Sequence, residues 1–529
     1  MPGPPTLQGP FRVPSFNPYI PRLAQPWIYL LIAFMFQMAG GIYGGAMSYV
    51  MGDYSLMRED VLMIIMCNVV GVNMPFPFLF RLKFRFTNRQ LLITSALVVG
   101  VCNVLILQTQ SMVVMCVLAY VSGFFKLCGT FECMSNIQLW MTPKRDFTVF
   151  FPLLYCIVLG NMSLSPWITE HLIYICQSWQ VMNWLMAGIM FCIALFLVLT
   201  THNFMFMKPL PFVSLDWLGC ALWSAAMIEF IWFFNYGEYY NWLLAPEMQA
   251  CAVMFFITMW ICIGRMLHVR HPYIDPAAWK YKNLVPMLIV FAFVEFMSST
   301  PKVLQTAFTG GVLHFGITTL NVLNLVEWVA AISGCLFCLV WTKVFKMKYT
   351  RLMPLGVAAM AAYQVMMYML VAPGVNIELL YLPVFLRNFG NAIFFVMLTI
   401  YLEDMMPFQH FFMGLTICGF IRNGLVETIA SAGYSHAVKY YTAEYSTHYF
   451  SSPVHAGLDP SVTGYVAKMD ALAPLMSSIK TVFGWSCFIG TAVLLVFLLY
   501  DVEPVRRTLK KMPSWKSVGM TLKRSLGIA

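Results

Sequence analysis

Eight ionisable side chains lie inside long apolar segments of this sequence, where charge is rare. They are one lysine, two arginines and five glutamates: Lys126, Glu132, Glu229, Glu295, Glu327, Arg387, Arg422 and Glu427. A charge at the centre of a membrane costs about 2.5–3.5 kcal/mol, so these groups are expected to face one another, the inside of a helix bundle or water. A carboxyl group in such a place can take up and release protons near neutral pH. The pattern therefore indicates proton coupling, with Gln37 as the strongly polar residue at similar depth in the first segment.

A structural role is the alternative for each of these residues. Glu132 lies near the end of its apolar segment and reaches water in one interpretation. Arg422 and Glu427 are five residues apart, which is a poor spacing for a pair within one helix, so each is predicted to find a partner on another helix. For Arg387, which has Asn388 and Asn391 beside it, structural bracing and an anion-facing role both remain open.

The segments that position these residues are fourteen apolar stretches of about 20 residues, the length that crosses a hydrocarbon core of about 30 Å. Backbone polar groups in lipid require helices or closed barrels, and these lengths are helical. The predicted spans are 27–51, 61–80, 91–108, 112–140, 149–169, 178–200, 216–236, 248–267, 284–300, 318–341, 353–372, 378–402, 411–436 and 473–500.

Positive charge is sorted onto alternate connections between these spans. With a cytoplasmic N-terminus, 24 of the 32 Lys and Arg residues lie on the cytoplasmic side. This bias is typical of multi-pass membrane proteins and predicts an inner-membrane protein with both termini in the cytoplasm. The composition, 60% hydrophobic and 10% charged, excludes an ordinary soluble domain. The net charge of +10 lies mostly in short loops, which indicates lipid headgroups rather than nucleic acid as the partner.

The predicted organisation is an all-α membrane protein with two six-helix halves around a central pair of helices. The predicted segments are a cytoplasmic N-terminal segment at 1–26, a first half at 27–200, a central insert at 201–283, a second half at 284–500 with an outer loop at 437–472, and a basic tail at 501–529. Two such halves commonly place a substrate site between them near the middle of the membrane.

Several motifs resemble the fourteen-helix drug:proton antiporter branch of the major facilitator superfamily, the EmrB/QacA type. They lie at the start of span six, around the central pair, and in spans twelve and thirteen: Ser178–Asn183, Asp216–Gly219, Gly237-Glu238, Asn241-Trp242, His271–Asp275, Leu386–Gly390 and Arg422–Gly424. The resemblance implies the major facilitator fold, with spans one, four, nine and twelve lining a cavity. On those spans Glu295 is the leading candidate for proton coupling, with Lys126 and Arg387 opposing it.

Some motifs of that branch are only partly present. The loop after span two retains the basic residues Arg81, Lys83, Arg85 and Arg89 but has neither the Asp nor the Gly of the branch's gating motif. The antiporter motif of span five is reduced to Gly160 and Pro166. By resemblance, these six residues together with Arg422 and Glu427 are assigned structural or gating roles.

The favoured function is proton-coupled efflux of amphipathic drugs or metabolites by alternating access, with no enzymatic activity, no cofactor and no metal. The resemblance adds a periplasmic adaptor and an outer-membrane channel as expected partners. Two other classes remain open, a membrane scaffold or sensor without transport and a membrane-embedded transferase that would use the histidines of the outer loop.

Overall fold

A computed structural model describes residues 16–21, 23–141, 146–203, 215–281, 284–346, 351–450 and 460–500. Its regular structure is helical, apart from one isolated bridge between Phe16 and Thr201. The described residues form seventeen α-helices, of which eight belong to the first half: α1 Gln25–Met38, α2 Met47–Tyr54, α3 Arg58–Asn73, α4 Leu79–Arg85, α5 Asn88–Leu107, α6 Met112–Met141, α7 Phe147–Cys176 and α8 Val181–Thr200.

The central pair consists of α9 Trp217–Tyr236 and α10 Pro246–His268. The second half contains α11 Leu284–Ser298, α12 Ile317–Lys343, α13 Met353–Leu370, α14 Tyr381–Met405, α15 Phe408–Gly419, α16 Glu427–Phe450 and α17 Pro460–Tyr500. Below, the basic end of the bundle is the end that carries the connection between α4 and α5, and the opposite end is the other.

Twelve helical segments in the described part of the chain are long and apolar enough to cross a membrane. Two of the fourteen predicted spans are not among them. The α1 helix has only 14 residues, and the run from Phe408 to Phe450 carries several charged side chains. The fourteen-span arrangement of six, two and six helices therefore stays a prediction.

The first span differs from its prediction because it is broken. Residues 27–51 were expected to form one helix, but α1 ends at Met38, and a 3-10 turn at Gly44–Ala46 separates it from α2. Two glycine pairs, Gly40-Gly41 and Gly44-Gly45, lie in the break. Glycine disfavours a helix by about 1 kcal/mol relative to alanine, so two pairs close together favour the irregular backbone.

Span nine continues past its predicted end at residue 300 to Val312, and spans nine and thirteen contain π-helical stretches that the sequence did not predict. They are Pro301–Gln305 and Ala307–Val312 after α11, and Phe420–Val426 between α15 and α16. Pro301 lacks a backbone N–H and so cannot continue regular helical hydrogen bonding. Because π-helical turns occur frequently at functional sites, the side chains around these stretches are candidates for functional residues.

The predicted outer loop at 437–472 is largely helical. The α16 helix continues to Phe450, and α17 begins at Pro460 and is 41 residues long, or about 60 Å. Hydrogen bonds join the two helices, from Thr442 Oγ1 to Ser478 Oγ at 3.0 Å and between the hydroxyls of Tyr445 and Thr481 at 3.0 Å. These side-chain contacts extend the pair beyond the boundary that hydropathy suggested.

The two halves pack as separate groups of helices that meet along α7 and α12. In the first half, α6 contacts α1, α3 and α5; in the second, α14 contacts α12 and α13, while α17 contacts α13 and α16. The central pair packs through α9 against α3 and against the π-helical stretch that precedes α16. It thus contacts both halves from one side.

Asp216 anchors the central pair at the basic end. Its carboxylate accepts hydrogen bonds from Gly219 N at 2.9 Å, Tyr273 N at 3.1 Å, and Arg265 Nη2 and Nε at 2.7 and 2.9 Å. Burial alone would raise the pKa of Asp216, but the hydrogen bonds from Arg265, Gly219 and Tyr273 outweigh it and hold that pKa below its ordinary value. The hydroxyl of Tyr273 in turn donates to Met74 O at 3.0 Å, which connects the anchor to the first half.

Replacing Asp216 is expected to loosen the central pair in two steps. Asp216→Asn retains a capping side chain but loses the charge, whereas Asp216→Ala also loses the cap, which alone is worth about 0.5–2 kcal/mol. Because the folded pKa is lowered, the stabilisation is present above the ordinary value near 4 and is lost as the pH falls through the folded value. Thermal unfolding of the purified protein should rank wild type, Asp216→Asn and Asp216→Ala in falling order at pH 7. Equal melting temperatures for Asp216→Asn and the exposed control Glu444→Gln would contradict this role.

Candidate functional site

The two halves close against each other at the basic end through aromatic rings. The ring of Phe412 on α15 lies 4.6 Å from that of Phe80 on α4 and 5.6 Å from that of Phe131 on α6. Nearby, Phe411 lies 5.7 Å from Phe151 on α7. These five residues, called the aromatic closure below, bring the two halves into contact at this end.

The next layer towards the middle of the bundle is polar. Tyr155 of α7 shares a hydrogen bond of 2.9 Å with Thr399 of α14, and its ring lies 5.0 Å from Phe395. Residues 388, 391, 395 and 399 follow helical spacing, so Asn388 and Asn391 lie on the same face of α14 as these contacts. Asn388 Nδ2 and Asn391 Oδ1 are buried without a hydrogen-bond partner among the described residues. This face therefore presents an unused donor and an unused acceptor above the closure.

The seam between α7 and α12 is polar at several depths. Lys343 at the end of α12 pairs with Asp146 before α7, and Asn321 Nδ2 donates to Trp167 O at 3.1 Å nearer the opposite end. Between them, Gly160 lies against Trp328, where an added Cβ would meet the indole nitrogen at 3.5 Å. Gly160 thus lies where the halves touch, and its gating role stays a prediction.

Arg387 pairs with Glu327 within the second half. Their Nη2 and Oε1 atoms are 2.8 Å apart, and Ser163 of α7 donates to the other oxygen of Glu327 at 3.4 Å. The guanidinium lies 5.9 Å from the ring of Tyr363, and its Nε has no acceptor among the described residues. The structure therefore gives Arg387 a partner other than the predicted Glu295.

Glu295 lies opposite Arg422 instead. The carboxylate, on α11, is 6% exposed, and its Oε2 lies 3.6 Å from Arg422 Nε. Its Oε1 is buried without a partner in the described residues. Arg422 also lies over the ring of Phe395 at 4.4 Å, so it contacts the polar layer above the closure. Glu295 is therefore a buried carboxylate with one oxygen loosely paired and the other without a partner in the described residues.

A second pair joins the same two spans, between Lys302 and Glu427. Sequence spacing predicted that Arg422 and Glu427 would each find a partner on another helix, and both partners lie in span nine. Each pair has one member inside a π-helical stretch, Lys302 in Pro301–Gln305 and Arg422 in Phe420–Val426, and its carboxylate on an adjoining α-helix. The stretches and the pairs together make the contact between these two spans.

Lys126 is a half-buried cation in the middle of α6. The described part of the chain places no carboxylate within 4.0 Å of it. One turn further along α6, Thr130 accepts a hydrogen bond of 3.0 Å from Gln37 of α1 and donates to Lys126 O at 2.9 Å. Gln37 and Lys126 are thus neighbours on the two predicted cavity helices of the first half.

Two of the four basic residues after span two, Lys83 and Arg89, make structural contacts. Lys83 Nζ lies 3.3 Å from Glu132 Oε1, and both side chains are buried, so this pair holds α4 against α6. Arg89 Nη2 donates to Val198 O at 2.7 Å, where it satisfies a carbonyl at the end of α8. Arg81 is half-buried and Arg85 is exposed. Glu132 therefore belongs to the basic end rather than to a central cavity.

Glu229 lies in the central pair, away from the seam. Its Oε1 accepts a hydrogen bond of 3.2 Å from Thr258 of α10, while its Oε2 is buried and unpaired in the described residues. Its contacts hold α9 and α10 together.

The sequence did not single out Glu170, because the predicted fifth span ended at residue 169. The α7 helix continues to Cys176 and includes Glu170, whose Oε2 is buried without a described partner. Pro166 lies one turn before it, against the break in the first span, where its carbonyl would be 2.7 Å from a Cβ on Gly45. A Glu four residues after a Pro in an otherwise apolar helix was the available signal.

No protein-family model matches the sequence, and no curated protein matches it. Solved structures do match in fold. A peptide transporter POT in complex with sulfate has a TM-score of 0.57 and 12% identity, covering 92% of this chain and 96% of that one. An auto-inhibited POT family peptide transporter has a TM-score of 0.54 and 14% identity, over 91% and 97% of the chains. The nucleoside transporter NupG has a TM-score of 0.50 and 10% identity, over 90% and 99%.

Identities this low establish likeness of fold. The likeness is one of fold, and it does not specifically support the fourteen-helix drug:proton antiporter branch. With twelve membrane-length helices among the described residues, the chain is a multi-pass membrane protein whose fold is that of these transporter structures, the major facilitator fold.

Proposed function

We propose that this chain is a secondary active transporter that couples proton movement to the passage of a small molecule by alternating access. The observation that carries the proposal is the position of Glu295. It is a buried carboxylate with one unpaired oxygen and one oxygen 3.6 Å from Arg422, in a fold whose halves are closed at one end. In such a fold the halves rock about a site near the middle of the membrane.

Protonation of Glu295 would change the contact between spans nine and thirteen. An ionised carboxylate attracts Arg422, whereas the neutral acid does not, so proton binding frees the guanidinium to strengthen its contact with Phe395. Phe395 contacts Tyr155 of the first half next to the aromatic closure. A proton on Glu295 thereby acts on the contact between the halves, which is the link that coupling requires.

The direction and substrate that we propose are export of amphipathic compounds. The resemblance to the drug antiporter branch and the aromatic and methionine-rich interior support this choice. The bias of positive charge supports a bacterial inner membrane with both termini cytoplasmic, so that the basic end faces the cytoplasm. An adaptor and an outer-membrane channel are proposed as partners of the exporter on the resemblance alone.

A polar substrate is the second candidate, and a separate observation favours it. Lys126 without a carboxylate within 4.0 Å in the described residues, and the unpaired amide atoms of Asn388 and Asn391, suit a ligand with anionic and hydrogen-bonding groups. The matching structures are named as peptide and nucleoside transporters. A small peptide and a nucleoside therefore belong in any substrate screen.

The test is transport by the purified protein in liposomes. A lipophilic cationic dye, a dipeptide and a nucleoside would each be offered under an imposed pH gradient. At least one is expected to move faster than in protein-free liposomes, with the movement abolished by a protonophore. Movement that ignores the protonophore would contradict proton coupling. Failure of all three together with a broader dye and metabolite panel would favour the scaffold alternative.

A further inference from the structure

The break in the first span is a built feature near the opposite end of the bundle. Asn183 Nδ2 donates to Gly41 O at 2.7 Å, Gly40 N donates to the hydroxyl of Tyr43 at 3.1 Å, and that hydroxyl donates to Asn103 Oδ1 at 3.1 Å. Irregular backbone at membrane depth persists only where it is buried in protein or lines water. These side chains from α5 and α8 supply the required hydrogen bonds and hold the break in place.

Glu170 lies directly against this break. A Cβ on Gly45 would be 2.7 Å from Pro166 O and 3.0 Å from Glu170 Cγ, so the turn at Gly44–Ala46 rests on this part of α7. The contact leaves Glu170 Oε2 buried and without a hydrogen-bond partner among the described residues. The turn of the first span thus packs against the Glu170 side chain.

The described residues place no compensating positive charge within 4.0 Å of the Glu170 carboxylate. The elements packed against α7 are α1, the Gly44–Ala46 turn, α6, α8, α12 and α14. Several ionisable groups of these elements and of the adjacent chain have other contacts: Tyr43 with Asn103, Asp53 with Trp179, His171 with Trp167, Glu327 with Arg387 and Glu132 with Lys83.

We propose that Glu170 is a second proton-binding site, which holds its proton in this conformation and is uncovered when the broken first span moves. A lone ionised carboxylate is strongly disfavoured where an oxygen is buried and unpaired, and a bound proton removes the charge. The proton comes from water at the opposite end of the bundle and returns to that water when the turn at Gly44–Ala46 separates from α7. Glu295 is separate, because it belongs to the second half and has Arg422 beside it.

The presence of this proton is independent of transport, whereas its use in coupling rests on the proposed function. Discontinuous membrane helices commonly form ion and proton sites in transporters, because their ends and carbonyls can rearrange without loss of the whole helix. The first span is also one of the four that the resemblance assigns to the cavity. Movement of its outer part would thus couple access to the cavity with access to Glu170.

Infrared spectroscopy of the purified full-length protein tests the site without a substrate. At pH 7 the wild-type spectrum should contain the carbonyl stretching band of protonated carboxyl groups. In Glu170→Gln this band should be weaker by the intensity of one carboxyl group. Glu247→Gln, an exposed Glu at the start of α10, should keep the full band. An identical protonated-carboxyl band in wild type and Glu170→Gln would overturn the proposal.

A pair of glycine variants tests the link to the break. Gly45→Ala places a methyl group against Pro166 and Glu170, which separates the turn from α7 and admits water, so the Glu170 band should disappear at pH 7. Gly44→Ala meets nothing within 4 Å and should retain it. Size-exclusion profiles and melting temperatures would show whether both variants fold. Retention of the Glu170 band in folded Gly45→Ala would overturn the role of the turn.

The two proposals fail separately. If wild-type protein moves no compound while Glu170→Gln removes the band, the proposed function falls and the proton site stands. If gradient-driven transport is observed but the band is insensitive to Glu170→Gln, the inference about Glu170 falls alone.

Discussion

Glu295→Gln is expected to reduce pH-gradient-driven transport to the level of protein-free liposomes. Glutamine has nearly the same shape as the neutral acid but cannot release a proton, so the contact with Arg422 would no longer alternate. Transport driven by a substrate gradient alone should survive, because it needs the rocking of the halves and not the proton. The measurement is uptake or release by reconstituted protein under each driving force.

The control for this experiment is Glu378→Gln, which makes the same chemical change at an exposed position before α14. Removing one partner of a buried ion pair costs about 3–5 kcal/mol, so the stability of Glu295→Gln must be measured beside its transport. The double variant Glu295→Gln with Arg422→Gln removes both charges and should restore stability without restoring coupling. Full gradient-driven transport by folded Glu295→Gln would assign coupling to another residue.

Phe412→Ala is expected to open the basic end. Truncating a buried Phe to Ala costs about 3–5 kcal/mol. Phe412 is half-buried and makes its contacts with Phe80 and Phe131 across the closure. If the substitution destabilises the closed conformation by about 2 kcal/mol relative to the open one, the equilibrium between them would shift about 30-fold towards opening at this end.

Cysteine modification measures this opening. Cys128 is 1% exposed and lies one turn before Phe131 on α6, so it should react with a small polar thiol reagent only when the closure separates. Its modification, quantified by mass spectrometry, should be faster in Phe412→Ala than in wild type and in Phe488→Ala, a variant at an exposed ring of α17. The exposed Cys176 at the end of α7 should react equally in all three. Equal rates at Cys128 would show that Phe412 does not hold the basic end closed.

The positions of most helices were predictable because hydropathy is a local property of each segment of the chain. A segment must be apolar over about 20 residues to cross a bilayer, so its location can be read without knowing its neighbours. The failures occur where local backbone chemistry departs from hydropathy. The glycine pairs break the first span, Pro301 begins the π-helical stretches of the ninth, and α16 and α17 extend into the predicted outer loop, where side chains join them.

The ion pairs were only partly predictable. Spacing along one helix predicted that Arg422 and Glu427 need partners elsewhere, but it could not choose them. Arg387 was expected to oppose Glu295, whereas the structure pairs it with Glu327 and gives Glu295 to Arg422. Both arrangements have the same composition and the same spans, and they differ only in which faces of the helices meet.

The sequence by itself determined that this is a helical membrane protein, which connections between the spans carry positive charge, and most of the rare ionisable residues within the spans, although not Glu170. Those properties depend on the transfer of each residue between water and lipid, which is local. Only the tertiary structure decided the partners of the charges, the aromatic closure and the burial of Glu170 against the broken first span. Contacts between helices that are distant in the chain depend on how each helix is rotated about its axis and how deep it lies in the membrane. Hydropathy does not fix either quantity to within one helical turn.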